Sequence, residues 1–377
     1  MNTHLSSEQA SIKEKYHAFA REHVAPQVRG LESHSVCLKE FIQQLAQNGY
    51  LGISAPKEYG GQGQPFLFSA LFAEAVGTQE PGLGLTLANH YAFIEVLKKY
   101  GTDTQKSRYL PLLSRGEALG TVAFSEEQAG TDYTAVGSVL SKEGDGFAFN
   151  GKKAWVVNGQ LAGLALVLCK NVEGESDSLA VCVIDCTDNE KECGPNIGRM
   201  GLKSAYVNHV EFKNRKLSSD ARLSGANAEK IAAYALDVAK VILAASAVGL
   251  TFAALERALE HARNREQFGT KISQFQGIQW KLADMGTEAE GARMQLYRAA
   301  WSLDSEPEKL STYAPMCKWY AAKVARQHSG EALQVMGASG LLEDEPLEKF
   351  YRDAKAMEIC LGTSEAQKVQ LVEALKI

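Results

Sequence analysis

The sequence predicts an α+β protein whose parts follow one another in the order helical, β-rich and helical. Apolar residues recur at helical spacing through the first third of the chain, alternate with a period of two in the middle third, and return to helical spacing after Asn227. We therefore expect an N-terminal all-helical domain over residues 1–117, a compact β domain over 118–223 and a C-terminal helical bundle over 224–377.

The first predicted element is an amphipathic helix. Ser6 and Gln9 form a capping box at its start, and Pro26 ends the helical pattern. A glycine-rich loop over residues 56–63 interrupts the helices that follow. These further helices are expected around residues 38–47, 67–76 and 92–100.

Two strands and two tight turns are predicted in the middle third. Leucines alternate over residues 164–168 in one strand, and residues 179–184 form a second strand. Glycine and short polar residues predict hairpin turns at residues 143–146 and 150–151.

One long helix is predicted to begin after Asn227, which acts as its N-cap, with Glu229 in the first turn. Its uncharged apolar stretch over residues 241–255 is shorter than the roughly 18 to 20 residues that span a bilayer, so we interpret it as a buried helix. Residues 1–4 lack the basic and apolar regions of a signal peptide. We therefore expect a cytoplasmic protein without membrane association.

Charge and cysteine content exclude other classes of site. A net charge of -5 does not indicate a nucleic-acid-binding surface, so small molecules or proteins are the expected partners. The 7 cysteines are odd in number and scattered, as is usual for reduced thiols. Cys182, Cys186 and Cys193 lie close together, but no His accompanies them to complete a zinc site, and no metal is expected.

The residues from Gln334 to Gln367 contain the most informative motifs. A helix that ends in small residues, an acidic loop and a second helix lead to a Gly-Thr-Ser turn, where the backbone can approach a ligand closely. The Tyr-Arg-Asp-Ala-Lys segment at 351–355, followed by Leu-Gly-Thr-Ser at 361–364, resembles the closing segment of the acyl-CoA dehydrogenase family. The resemblance covers essentially the whole chain. It implies a central β-barrel, a C-terminal four-helix bundle and FAD-dependent oxidation of an acyl thioester.

The resemblance implies a flavin site formed by two segments of the middle domain. Residues 122–132 are similar to the family's Thr-Glu-Pro-x-x-Gly-Ser-Asp segment, whose hydroxyls, here those of Ser125 and Thr131, hold the flavin pyrimidine. Such donors stabilise the anionic reduced flavin. Residues 153–159 resemble the family's Trp-Ile-Thr-Asn strand. Trp155 keeps the ring that lies near the isoalloxazine, whereas Val157 replaces the Thr that hydrogen-bonds N5.

Further segments imply contacts with the dinucleotide end of FAD. Residues 263–269 resemble the family's Arg-x-x-Phe-Gly signature, in which a guanidinium reaches the FAD pyrophosphate of a neighbouring subunit and donates two parallel hydrogen bonds. The signature favours FAD over FMN and a homo-oligomer, either a dimer or a tetramer. The cofactor contacts implied in these segments are Arg265, Phe268, Gln276, Gln334, Gly337 and Thr363.

The family places its catalytic Glu directly before Gly-Thr, and this chain has Leu361 there. The second position that the family uses for this base, on the long helix before an Arg, is occupied by Ala239 before Lys240. Abstraction of an α-proton needs a carboxylate, which Leu361 cannot supply. His90 aligns with the loop that lines the acyl pocket and is the best replacement candidate, because an imidazole titrates near neutrality. An ordinary structural His is the alternative.

Two charged residues of the long helix are candidates for substrate binding. Asp237 matches an Asp of the family's long helix, and Lys240 lies three residues later on the same face. A structural salt bridge between them is the favoured interpretation. Glu358 is expected to have a surface or structural role, because family sequences often have Glu there beside the catalytic one.

Three functions are compatible with the loss of the base. The first is a FAD oxidoreductase of a CoA or acyl-carrier-protein thioester whose β-carbon is an aldehyde hydrate, so that only a hydroxyl proton must depart with the hydride. This resembles the carrier-protein-linked branch of the family that makes hydroxymalonyl or aminomalonyl extender units for polyketide and peptide assembly lines, as in colibactin-type pathways. The family usually passes its electrons to an electron-transfer flavoprotein.

The other two functions differ in their use of the flavin. A flavin-dependent monooxygenase on the same fold is one, since Val157 would permit altered chemistry at N5. A non-catalytic subunit of a hetero-oligomer is the other, although the retention of Ser125, Trp155 and Arg265 argues against a purely structural role.

Overall fold

The structure is a computed structural model that describes residues 5–172, 178–188 and 191–376. Residues 1–4, on which the signal-peptide prediction rests, lie outside the described part of the chain. Helical, β-rich and helical segments follow one another along the chain, which confirms the α+β class. The domain boundaries after residues 117 and 223 stay predictions.

From residue 5 onward, six α-helices form the N-terminal part. The first begins at the predicted capping box, in which the Ser6 hydroxyl accepts the Gln9 N–H while the Gln9 side chain accepts the Ser6 N–H. The fourth and fifth are apolar nearly all round, because they lie in the centre of the main core. The helices are α1 (Ser7–Phe19), α2 (Val28–Ser33), α3 (Leu38–Gln47), α4 (Phe66–Gly77), α5 (Pro81–Tyr100) and α6 (Asp103–Ser114).

In the described residues of the middle part, seven strands form one curled sheet. They are β1 (Leu119–Ala123), β2 (Val139–Glu143), β3 (Gly146–Val157), β4 (Ala162–Asn171), β5 (Ser178–Asp185), β6 (Glu192–Cys193) and β7 (Val207–Leu217). Their order is β1-β4-β2-β3-β7-β6, and β5 also pairs with β4. Phe147, Phe149 and Phe212 lie in a second, smaller core formed by this sheet. Both predicted strands are present, in β4 and β5.

The C-terminal part consists of five helices and a small hairpin. They are α7 (Ala228–Asn264), β8 (Glu266–Gln267), β9 (Thr270–Lys271), α8 (Gln276–Ser305), α9 (Leu310–Met336), α10 (Leu347–Ile359) and α11 (Ser364–Leu375). The Asn227 side chain accepts the Lys230 N–H at 3.0 Å, which confirms the predicted N-cap of α7. By length and composition α7 could cross a membrane, but 89% of its most apolar window is buried inside the protein, so it is a core helix.

Two local predictions are wrong in instructive ways. The helix expected at residues 92–100 begins at Pro81, because Pro fits the first turn of a helix and the glycines that follow it pack closely against Ser246 and Ser204.

Residues 150–151 are not a turn but lie inside β3. The register shifts there, and the Asn150 side chain accepts the Asn214 N–H at 2.6 Å to complete the irregularity. The turn at 143–146 is confirmed, since Glu143 pairs with Gly146.

A buried cluster of ions joins all three parts of the chain. Lys349 on α10 donates to Glu80, which precedes α5, at 2.9 Å and to Asp353 at 2.5 Å, and the three side chains are fully buried. From the segment before β7, the Ser204 hydroxyl donates to Glu80 at 2.8 Å and the Leu202 N–H donates to Asp353 at 2.5 Å. Since a buried charge is tolerated only when it is paired and hydrogen-bonded, this cluster fixes the relative positions of the three parts.

Candidate functional site

Trp155 lies at a β-bulge on β3. Between Lys153 and Val156, β3 contains one residue more than β7, so Ala154 and Trp155 together oppose His209. The bulge gives Trp155 a left-handed backbone, φ 57°, and leaves 56% of the side chain exposed. The ring centroids of Trp155 and His209 lie 5.6 Å apart. An aromatic face is therefore available at the surface of the sheet.

A buried ion pair joins this strand to the segment that follows β1. The Lys153 ammonium lies 2.7 Å from Glu126, and both side chains are almost completely buried. Burial acts to raise the pKa of Glu126, but hydrogen bonds from Lys153 and Ser138 outweigh it and lower this pKa to about 2. The carboxylate therefore stays ionised and holds the two segments together.

Ser125 and Thr131, the predicted partners of the flavin pyrimidine, lie on the segment that Glu126 anchors. The Ala154 N–H donates to the Ser125 carbonyl at 2.9 Å, which places Ser125 beside the Trp155 bulge. Thr131 lies further along the same segment and is exposed. Within the described ranges, no hydrogen bond connects either hydroxyl to another side chain, so both are free to donate to a ligand.

Val157 faces inward, unlike Trp155. Its side chain is buried in the main core, and its carbonyl accepts the Thr121 hydroxyl at 2.6 Å. The contact of Val157 with a cofactor stays a prediction.

An open cleft of about 540 Å³ adjoins the bulge and is lined by residues of β3, β6 and β7 and by Glu127. A second cleft, of about 480 Å³, lies between His34 and residues 196–200 and contains none of the predicted site residues.

Arg265, Phe268 and Gln276 lie close together on the β8–β9 hairpin and at the first residue of α8. The Ile272 N–H donates to the Arg265 carbonyl at 2.9 Å and closes the hairpin. Phe268 is 96% exposed at its tip. Across the part of the chain that the structure describes, no ion pair engages the Arg265 guanidinium, and no hydrogen bond or ring contact connects this hairpin to Trp155. The two groups of predicted cofactor residues are thus separate within one subunit.

Gln334 and Gly337 lie at the exposed end of α9. Gly337 has φ 59° and ψ −139°, a conformation that only glycine adopts readily, and an added Cβ would meet no atom within 4 Å. The backbone here is open to an approaching group.

Leu361 lies in the tight turn between α10 and α11. It has a left-handed backbone, φ 55°, and is followed by Gly362 at φ 90°. The Leu361 side chain is half-buried and packs against the main core. Thr363 caps α11, where its hydroxyl accepts the Ala366 N–H at 3.3 Å. Glu358 is bound to Arg326 at 3.1 Å and to Lys355 at 2.9 Å, as expected for a structural residue.

Asp237 and Lys240 form the predicted salt bridge, with 2.8 Å between the carboxylate and the ammonium. Lys240 also donates to the Gln370 side chain at 2.8 Å and so connects α7 to α11. Burial raises the pKa of Asp237, and the neighbouring ammonium acts in the opposite direction. Both side chains are almost fully buried, and their contact with a substrate stays a prediction.

The environment of His90 favours a structural role, and its role as an acid or base stays a prediction. The ring is completely buried in α5, and Nδ1 accepts the Gly120 N–H at 3.1 Å. Burial lowers the pKa of His90 to about 4, so the imidazole stays neutral near pH 7. Through its hydrogen bond with Gly120, His90 attaches β1 to α5.

The side chains at the bulge and on the segment that Glu126 anchors have the chemistry to fit a flavin. Trp155 offers an aromatic face to a planar ring, and the hydroxyls of Ser125 and Thr131 are donors without partners in the described structure. The exposed Arg265 has the chemistry to bind a pyrophosphate. In the described ranges, no group of three His, Cys, Asp or Glu side chains is arranged to hold a metal.

Sequence reasoning missed the two side chains that hold the turn at Leu361. Lys318 on α9 donates to the Gly362 and Glu358 carbonyls, and Gln367 on α11 donates to the Leu361 and Gly362 carbonyls. The position of Lys318 on the face of α9 that carries the buried residues Ala314 and Ala321, at helical spacing, could have indicated a buried lysine.

Profiles of known families match the chain in three consecutive segments. They are described as the N-terminal domain of acyl-CoA dehydrogenase over residues 6–117, the middle domain over 121–215 and the C-terminal domain over 230–376.

Individual proteins resemble the chain along its whole length. The probable acyl-CoA dehydrogenase YngJ of Bacillus subtilis is 32% identical, with 100% of both chains covered. The acryloyl-CoA reductase (NADH) of Anaerotignum propionicum is 32% identical, with 98% of this chain and 94% of the reductase covered.

Solved structures have the same fold. Butyryl-CoA dehydrogenase from Megasphaera elsdenii has a TM-score of 0.94 at 28% identity, with 100% of each chain covered. The prolyl acyl carrier protein oxidase AnaB has a TM-score of 0.92 at 29% identity, with 99% of this chain and 100% of AnaB covered. PigA, solved with FAD and proline, has a TM-score of 0.92 at 25% identity, with 100% of this chain and 99% of PigA covered.

Proposed function

The chain belongs to the acyl-CoA dehydrogenase family, and we propose that it is a FAD-dependent oxidoreductase that oxidises an acyl thioester without a carboxylate at position 361. Family membership makes it a flavin-dependent oxidoreductase of the acyl-CoA dehydrogenase type. The observation that carries the proposal is the combination of an open flavin-type site at Trp155 with an apolar side chain at residue 361.

The carboxylates closest in sequence to the two positions of the family's base are already engaged. Glu358 is paired with Arg326 and Lys355, and Asp237 is paired with Lys240. Neither carboxylate is free to abstract a weakly acidic α-proton, which requires a base within hydrogen-bond reach. The site therefore favours a substrate whose oxidation needs no such base.

An aldehyde hydrate at the β-carbon of the thioester meets this requirement. Bound FAD supplies the acceptor for the hydride that leaves this carbon. The hydroxyl proton departs to water as the hydrate becomes a carboxylic acid, so residue 361 takes no part in the proton transfer. In this proposal Ser125 and Thr131 would hold the pyrimidine edge of the cofactor and Trp155 would cover one face of its ring, which the exposure of Trp155 and the proximity of Ser125 to it support.

We propose an acyl carrier protein as the carrier of the thioester, with CoA as the alternative. The likeness to AnaB, a prolyl acyl carrier protein oxidase, supports this choice. The corresponding role is in specialised biosynthesis of polyketides or nonribosomal peptides, in the formation of an extender unit such as a hydroxymalonyl or aminomalonyl group. An electron-transfer flavoprotein or another acceptor would take the electrons.

We also propose that the protein works as a homo-oligomer, either a dimer or a tetramer. The β8–β9 hairpin supports this, because Arg265 and Phe268 are exposed there and would be accessible to a cofactor bound to a second subunit.

The test is anaerobic reduction of the purified protein by a panel of thioesters. The panel contains simple acyl-CoA, β-hydroxyacyl and β-aldehyde thioesters, each on CoA and on an acyl carrier protein, and the readout is bleaching of the flavin absorbance. We expect bleaching with the β-aldehyde forms and none with simple acyl-CoA. A protein that binds FAD but is reduced by no thioester would contradict the proposal and favour a non-catalytic subunit.

A substitution at residue 361 gives the matched control. Leu361→Glu restores a general base, which contributes about 10²- to 10⁴-fold to proton transfer, and should create α,β-dehydrogenation of butyryl-CoA. Leu361→Gln has nearly the same shape without the base and should not. Equal rates for the two variants would show that residue 361 does not face the substrate.

A further inference from the structure

The turn that carries residue 361 is held by a buried lysine from another helix. Lys318 lies on α9, is 1% exposed, and donates to the Gly362 carbonyl at 2.5 Å and to the Glu358 carbonyl at 3.2 Å. Glu358 is in the last turn of α10, where carbonyls lack partners inside the helix. One ammonium thus caps α10 and fixes the residue after Leu361.

Gln367, on α11, also holds the turn by hydrogen bonds. It is 1% exposed on α11, and its side-chain N–H groups donate to the Leu361 and Gly362 carbonyls, both at 3.1 Å. The two consecutive carbonyls of Leu361 and Gly362 therefore both accept hydrogen bonds from side chains outside the turn. A left-handed conformation at a non-glycine residue costs about 1 kcal/mol, and these hydrogen bonds offset that cost at Leu361.

The charge of Lys318 is not used in an ion pair. Among the described residues, no carboxylate oxygen lies within 4.0 Å of its ammonium, and its two polar contacts are to backbone carbonyls. Burial lowers the pKa of Lys318 to about 8, so the group is still mainly an ammonium at pH 7. Burying a cation costs free energy that hydrogen bonds must offset. Here the two backbone carbonyls supply those hydrogen bonds.

We propose that Lys318 is a positioning residue, which together with Gln367 clamps the Leu361–Gly362 turn so that the side chain at position 361 is presented in one fixed direction. The clamp acts on the backbone and is independent of the side chain that stands at 361. It therefore remains complete in this chain although the acid that the family carries there is absent. This inference rests on the proposed function only in naming position 361 as part of the reaction site.

The experiment compares three variants of the full-length, flavin-loaded protein. Lys318→Met removes the donors with little change in length, Gln367→Leu removes the opposite half of the clamp, and Lys323→Met is the control, since Lys323 is an exposed lysine on the same helix. Each variant is made with Leu361 and again with Leu361→Glu. Hydrogen exchange by mass spectrometry follows the peptide over 358–367, and stopped-flow measures flavin reduction by butyryl-CoA.

Lys318→Met and Gln367→Leu should each raise amide exchange in this peptide about tenfold, with no change in peptides from α1, because only the local opening free energy falls. In the Leu361→Glu background each should lower the rate of flavin reduction about 100-fold, with little change in the substrate dissociation constant, since a misplaced base still leaves binding intact. Lys323→Met should do neither.

Unchanged exchange in both clamp variants would overturn the inference, as would an equal effect from Lys323→Met. Equal losses of rate and of substrate affinity would show that Lys318 has only a structural role, and would also overturn the inference. If Lys318→Met does not fold, Gln367→Leu decides the question alone. Faster exchange in both clamp variants, with no flavin reduction by butyryl-CoA in the Leu361→Glu protein itself, would support the clamp on the turn and contradict the placement of position 361 in the reaction site. The proposed function is decided separately, by the thioester panel.

Discussion

Replacing Lys349 with Met should be one of the most destabilising single changes in this protein. The ammonium is fully buried and joins Glu80 at 2.9 Å to Asp353 at 2.5 Å, so its removal leaves two buried carboxylates without a counterion. Breaking a buried pair from one side costs about 3 to 5 kcal/mol. Donors from Ser204 and Leu202 remain on the carboxylates and keep the loss toward the lower end of that range.

Urea denaturation followed by tryptophan fluorescence measures the loss in the free energy of unfolding. Lys355→Met is the matched control, because Lys355 is an exposed lysine on the same helix whose surface pair with Glu358 contributes about 0.5 kcal/mol or less. Glu80→Gln combined with Lys349→Met should recover part of the loss. A loss for Lys349→Met that is no larger than the loss for Lys355→Met would refute the cluster as the link between the three parts.

The same variant has a defined pH dependence. Burial already raises the pKa of Glu80 in the native protein, and without Lys349 only hydrogen bonds such as the one from Ser204 still oppose that shift within the cluster. A folded-state pKa above the unfolded value means that the folded protein binds the proton more readily. The free-energy cost of burying the ionised Glu80 carboxylate is therefore full at high pH and shrinks as the pH falls through the raised pKa. The loss of unfolding free energy caused by Lys349→Met should therefore be smaller at pH 5 than at pH 8. A loss that grows on acidification would contradict this account.

Other predictions concern the flavin-type site. Glu126→Gln should lower the free energy of unfolding by about 3 kcal/mol at neutral pH, because the folded pKa of Glu126 is about 2 against 4.5 for an ordinary Glu. This contribution is present above pH 4.5 and lost as the pH falls toward 2, so acid denaturation curves of variant and native protein should converge there. Trp155→Ala should raise the FAD dissociation constant about 5-fold through lost stacking, measured by flavin fluorescence titration, with Trp155→Phe intermediate. Arg265→Met should weaken the binding of FAD about 10- to 100-fold and leave the binding of FMN unaffected. Lys271→Met in the same hairpin should change the affinity for neither cofactor. Equal effects of Arg265→Met on FMN and FAD would exclude a pyrophosphate contact.

The order of elements and many of their ends could be predicted from the sequence, because the signals are local. The capping box at Ser6, the N-cap at Asn227 and the change from helical to alternating periodicity each depend on residues a few positions apart. The cofactor motifs are also short, so their residues could be named before their positions in space were known. Their roles stay predictions, as do the cytoplasmic location and the oligomeric state.

Three-dimensional packing decided what surrounds those residues. Whether Trp155 faces outward depends on one extra residue in β3 relative to a strand some fifty residues later, and β3 by itself does not contain that information. His90 has the same side chain in any environment, and only the packing of β1 against α5 makes it neutral near pH 7.

Residue 361 combines both kinds of information. Its identity as leucine is fixed by the sequence, so the side chain at this position carries no acid. Its backbone conformation is fixed by Lys318 and Gln367, which lie on two other helices. The sequence alone therefore determines which chemical groups the protein contains, whereas the direction, burial and protonation of those groups depend on neighbours that are distant in the chain and are brought together only by folding.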